Sequence, residues 1–221
     1  MVLGVLLLLG WAVGARASFN EPLQWKFKVF LDDREIGFHD FTVREGNGTT
    51  EVAVDARFDV RVLFINAYRY RHRNAEVWAD DCLLRIESAT NDNGRQLAVS
   101  GGVEDTVFRL TANEVEVALD TCPMSFAYWN PRLLDAQQLL NPQTGEVQPV
   151  VVTPRGEERV RYGDETLRAV RYDLAVDGQE IRLWYGAEDY RWLALETPAK
   201  GNRLLRYEPV RLPELAREMG R

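Results

Sequence analysis

Histidine and cysteine are scarce in this chain, with two of each among 221 residues. His39 and His72 are the only imidazoles, and Cys82 and Cys122 stand forty positions apart. A zinc or iron centre needs clustered nitrogen and sulfur ligands at short spacing, so no metal site is expected. Without a C-x-x-C pair, thioredoxin-like redox chemistry is excluded. The nucleophile elbow G-x-S-x-G, the phosphate loop, the dinucleotide fingerprint G-x-G-x-x-G and the zinc motif H-E-x-x-H are all missing. No cofactor is therefore expected. Positive charge is also in deficit: the formal net charge is −7. An acidic chain gains nothing from counterion release, which argues against a nucleic-acid partner. Acidic residues are plentiful, but no carboxylate pair stands out as a glycosidase-type acid and base.

Long apolar runs are confined to the start. Val2 to Val13 is apolar and ends in Ala15-Arg16-Ala17, the small-x-small form that precedes a signal-peptidase cut before Ser18. The run is too short for a finished transmembrane helix. It departs from the usual signal in carrying no Lys or Arg after Met1. No cysteine sits at the cut, so lipid anchoring is not expected. The expectation is a signal peptide over residues 1–17, a single β-rich domain over 18–221, and residence in the periplasm with no transmembrane segment once the signal is removed. In that compartment Cys82 and Cys122 either pair or remain buried thiols. Pairing would contribute roughly 3–4 kcal/mol.

What is abundant is alternation. Trp25, Phe27, Val29 and Leu31 alternate with polar residues, and His39, Phe41 and Val43 share a face on the returning strand. Thr50, Val52, Val54, Ala56, Phe58, Val60 and Val62 then face one way, against Glu51, Asp55, Arg57, Asp59 and Arg61. At about 3.3 Å per residue such a strand runs roughly 40 Å and has to bend around something. A helix is expected near Pro131–Leu140, capped by Asn130, begun by Pro131 and stopped by Asn141-Pro142. Further strands follow to Val210, with a turn at Asp177-Gly178, and Pro213 to Met219 has the pattern of a short tail helix. The fold expected is all-β: a strongly curved, mainly antiparallel sheet, a half-barrel or open barrel, with one short helix as a plug.

The densest stretch runs from Tyr68 to Gly94. Strand geometry puts Tyr68, Tyr70, His72, Asn74, Glu76 and Trp78 on one face, and Arg69, Arg71 and Arg73 on the other. Cys82, Leu84, Ile86 and Ser88 should face inward on the partner strand. The arginines either dock an anionic group or pair with Glu51, Asp55 and Asp59 across the sheet. The rings either fill a core or line a cavity for an apolar ligand. His72 is either a hydrogen-bonded interior residue or a catalytic base. Strand spacing separates it from Glu76 by about 13 Å along the chain, which argues against a pair between those two. The candidate ligand-binding set is Tyr68, Tyr70, His72, Glu76 and Trp78, with Trp129 approaching from the helix side.

Several short patterns, Tyr70-x-His72, Glu76-x-Trp78, Leu83 or Leu84, Ser88 to Gly94, Tyr128-Trp129-Asn130, Arg171-Tyr172 and Leu183-Trp184-Tyr185, resemble a proteobacterial family of exported proteins, the domain of unknown function 6134 family. That resemblance implies export and brings no chemistry. The layout is more remotely similar to the half-barrel carriers of lipoproteins, and lipid binding follows from that likeness only as analogy. Three functions are carried forward. The first is non-catalytic binding of an apolar or lipid-like ligand. The second is an envelope-assembly role in which the sheet meets a partner protein. The third is a hydrolase or isomerase using His72 and a carboxylate from a neighbouring strand.

Overall fold

The computed structural model describes residues 21–46, 48–62, 65–120 and 122–214. The expected signal peptide and most of the expected tail helix lie outside the described residues. Eight strands form an antiparallel meander: β1 (Leu23–Leu31), β2 (Arg34–Gly46), β3 (Thr49–Val62), β4 (Ile65–Ala79), β5 (Cys82–Asp92), β6 (Arg95–Glu104), β7 (Val107–Ala112) and β8 (Val115–Asp120). After a connecting segment come β9 (Gln138–Leu140), β10 (Val147–Tyr162), β11 (Glu165–Val176), β12 (Gln179–Gly186), β13 (Trp192–Ala199) and β14 (Arg203–Arg211). All fourteen join in one antiparallel sheet, ordered 8-7-6-5-4-3-2-1-14-13-12-11-10-9. The sheet does not close: β8 and β9 are its edges.

The alternating patterns predict the buried face well. Val52, Val54, Ala56 and Phe58 of β3 are buried while Glu51, Ala53, Asp55 and Arg57 are exposed. On β4, Tyr70, His72, Asn74, Glu76 and Trp78 are buried. The other face carries Arg71, whose Nη2 donates to both Asp59 oxygens at 2.9 and 3.2 Å. Arg69 lies 3.9 Å from the same carboxylate, and Arg73 is in register with Asp55. The arginine stripe is thus tied to the acidic face of the preceding strand.

Curvature follows from what the inner face touches. Tyr70 of β4 and Ile181 of β12 line the same cavity, although their strands are six steps apart in the sheet. A flat sheet would separate those strands by roughly 29 Å at about 4.8 Å per step. The two halves therefore wrap toward each other. Two glycines permit close approach. A Cβ on Gly37 would lie 1.8 Å from the carbonyl oxygen of Arg57, so β2 and β3 meet there only because it has none. Gly145, at φ +76° in the β9–β10 turn, has Ala112 of β7 where its Cβ would be. That turn seats one end of the sheet against the other, and Ser88 of β5 donates to the Pro142 carbonyl beside it.

Two local expectations fail. The segment after Asn130 is not a helix plug: it is a 3-10 turn over Pro131–Asp135 followed by β9. The capping signals are used, since the Asn130 side chain accepts from the Arg132 N–H and Pro131 opens the turn. Helix propagation stops because Leu139 and Leu140 are both buried while pairing with Gln148 and Val147 of β10. The ladder satisfies the backbone and the short helix cannot recover its nucleation cost. On β5, Leu83 is fully buried and Leu84 only partly, because a bulge opposite Val77 and Trp78 shifts the register.

Candidate functional site

Inside the wrapped sheet is a cavity of about 400 Å³. Its walls come from β2, β3 and β4 on one side and from β12 and β14 on the other, with the segment over Phe126–Trp129 between them. That segment is pinned in three ways. Cys82 and Cys122 form a disulfide at its start. Ser125 forms a parallel bridge to Leu140, and the Tyr185 hydroxyl donates to the Tyr128 carbonyl at 2.9 Å.

Of the residues predicted from sequence, Tyr68, Tyr70, His72, Glu76 and Trp129 all line this cavity. Trp78 does not. It is fully buried behind the wall, its ring edge-on to Trp129 at 5.8 Å. Its indole N–H donates to Glu76 Oε2 at 2.9 Å, so it supports the wall rather than forming it. The Tyr68 hydroxyl donates to Asp92 at 2.7 Å, and Phe58 stacks on Tyr70 with centroids 5.0 Å apart.

Glu76 is the chemical centre of the wall. It is 3% exposed and accepts three hydrogen bonds: from Asn74 Nδ2 and the Ser125 hydroxyl on Oε1, and from Trp78 on Oε2. Burial pushes its carboxyl above the usual range, against the opposing pull of those three donors. His72 pairs through Nδ1 with the Thr90 hydroxyl at 2.8 Å, and burial holds its pKa down to about 4. His39 pairs through Nδ1 with the Tyr207 hydroxyl at 3.1 Å, and burial lowers its pKa to about 3. His39 is half-buried as a residue, but its Nε2 is closed off from solvent.

Sequence reading missed His39, Phe58, Tyr128 and Tyr207 as members of the site. His39 and Phe58 lie on faces whose alternation was clear. Phe58 meets Tyr70 through the register of the β3–β4 hairpin, whereas His39 meets Tyr207 only through the pairing of β1 with the distant β14, and alternation encodes neither. Three cavity residues carry a buried polar atom with no protein partner: Asn74 Oδ1, His39 Nε2 and Trp129 Nε1. Among the described residues no cluster of three or more His, Cys, Asp or Glu is arranged to hold a metal.

The fold and the cavity together define an all-β protein with an open sheet wrapped around an aromatic pocket. The chain belongs to the domain of unknown function 6134 family, whose model matches residues 27–210. It is also similar in structure to a β-barrel-like protein of the domain of unknown function 1849 from Brucella abortus. That crystal structure shares 12% sequence identity, covers 89% of this chain and 98% of its own, and gives a TM-score of 0.60. No curated protein matches the chain.

Proposed function

We propose that this protein binds a small, largely apolar ligand in the cavity of its wrapped sheet and does no chemistry on it. The observation that carries this reading is the lining itself. Rings of Phe58, Tyr70, Phe126 and Tyr128 supply apolar area, and three lining residues, His39, Asn74 and Trp129, each keep one polar atom unpaired. That is the composition of an orienting site, in which apolar walls give affinity and a few polar groups fix the pose. A cavity of about 400 Å³ falls at the small end of the roughly 300–1,000 Å³ range of ligand sites. A single chain or ring compound fits such a space better than a whole two-chain lipid. The hydrolase or isomerase reading needs a carboxylate against His72. The group there is the Thr90 hydroxyl, so binding is the better supported reading.

The protein is proposed to act in the periplasm. The apolar run before Ala15-Arg16-Ala17 supports this, and the Cys82–Cys122 disulfide suits an oxidising compartment. Native mass spectrometry of protein taken from its own periplasm is the test. The expected result is a co-purifying small molecule on a chain beginning near Ser18. Protein that is always ligand-free and takes up no apolar probe would refute the binding reading, and an intact N-terminus would refute export.

A second reading, assembly with an envelope partner, is supported by β8. This edge strand exposes Val115 and Val117 along an unpaired ladder, which is the arrangement used in strand addition.

A further inference from the structure

We propose that the ligand enters head-first with an uncharged group that both donates and accepts a hydrogen bond, a hydroxyl or an amide, and that the cavity rejects carboxylates and phosphates. This rests on the binding reading above. Among the residues lining the cavity, Glu76 and Asp177 are acidic and none is Lys or Arg. The arginines of β4 lie on the opposite face, engaged with Asp59. An anion entering here would lose its water and meet a buried carboxyl with no cation to compensate it, which is the costliest arrangement for a charge. The two imidazoles offer no relief. Each has its Nδ1 committed to a hydroxyl, and burial keeps both neutral well below pH 7.

The unpaired atoms then specify the head. Asn74, 6% exposed, gives its amide nitrogen to Glu76 and so turns an acceptor, Oδ1, loose in a buried setting. Trp129 holds a buried indole N–H without an acceptor. Glu76 links them: Asn74 donates to it directly, and Trp129 stands edge-on to Trp78, which donates to the same carboxyl. A hydroxyl or amide can give a proton to Asn74 and receive one from Trp129. A carboxylate has no proton to give, and an ammonium has no lone pair to offer.

The experiment uses the mature, oxidised chain with N-phenyl-1-naphthylamine as an uncharged fluorescent reporter. Three competitors with the same chain, dodecan-1-ol, dodecanoate and dodecyltrimethylammonium, are titrated at pH 7.5. The alcohol is expected to displace the reporter at concentrations roughly tenfold or more below those of the carboxylate and the cation, a gap of about one decade in Kd. Equal or better displacement by dodecanoate overturns the proposal while leaving the binding reading intact. Better displacement by the ammonium overturns it in favour of a cation drawn to Glu76. Failure of the reporter and of all three competitors to bind sinks the binding reading itself. Trp129→Phe keeps the ring and removes the N–H. It should weaken the alcohol several-fold more than it weakens the reporter, whereas an equal loss for both would make Trp129 a packing residue only and overturn its role as donor to the head.

Discussion

The Ser125 hydroxyl donates to the buried carboxyl of Glu76 at 3.0 Å across 49 positions of sequence. This bond ties the segment that follows the eighth strand to the middle of the fourth, where the aromatic wall is built. Removing it leaves the buried Glu76 carboxyl with two donors. Ser125→Ala should therefore cost about 1–3 kcal/mol in urea unfolding, since the lost partner leaves a buried acceptor short. A change near zero would mean that the bond contributes little.

Acid should destabilise the protein through His72. Its folded pKa of about 4 lies below the ordinary value of 6.5, so the unfolded chain takes the proton first. The stability this histidine contributes is complete above about pH 6.5 and falls as pH drops toward 4, by about 3 kcal/mol in total. Glu76, whose carboxyl is pushed up, runs the other way, its contribution being lost as pH rises. Replacing His72 by Gln keeps the size and the contact with Thr90 and removes the titration. Thermal melts from pH 7 to 4 should then show a shallower acid limb in H72Q than in the parent.

Reduction should loosen one wall of the cavity before it unfolds the sheet. The Cys82–Cys122 bond lies at the start of the segment that carries Ser125, Phe126, Tyr128 and Trp129. Losing a cross-link over 40 positions is expected to lower stability by about 2–4 kcal/mol. Hydrogen exchange on reduced protein should show faster exchange over 122–130 than over β2–β3. Uniform loss of protection would mean that this segment and the sheet open as one unit.

Gly37→Ala should be among the most damaging single changes. The new Cβ would fall 1.8 Å from the Arg57 carbonyl oxygen, which no real contact tolerates. Strands two and three must separate there, at a cost of about 3 kcal/mol or more. Circular dichroism melts give the size of the loss. Hydrogen exchange should place it between Ile36 and Phe58, and an unchanged melt would show that the backbone yields easily at this point.

The pleat is why so much of one face was readable in advance. Val52 to Phe58 and Tyr70 to Trp78 alternate by chemistry, and a strand sends alternate side chains to opposite sides whatever lies across from it. The all-β class, the buried set on the central strands and the cross-strand home of Arg69 and Arg71 thus follow from local pattern. The segment from Pro131 to Leu140 shows the limit. Its N-terminal cap, Asn130, was read correctly, but the turn ends at Asp135 and not at Asn141-Pro142, and pairing with Val147 and Gln148 decided that Leu139 and Leu140 lie in a strand. Leu83 displaced Leu84 from the core because a bulge at Leu84, opposite Val77 and Trp78, changed the register of its own strand. The cavity itself is the clearest case of tertiary decision. Tyr70 and His72 were legible as one face, whereas His39, Tyr207 and Ile181 join them only once the sheet wraps. Wrapping depends on pairings across most of the chain length, such as β1 with β14, and on close approaches like that at Gly37. Local sequence sets which way a side chain points, and the pairing of distant strands sets what it meets there.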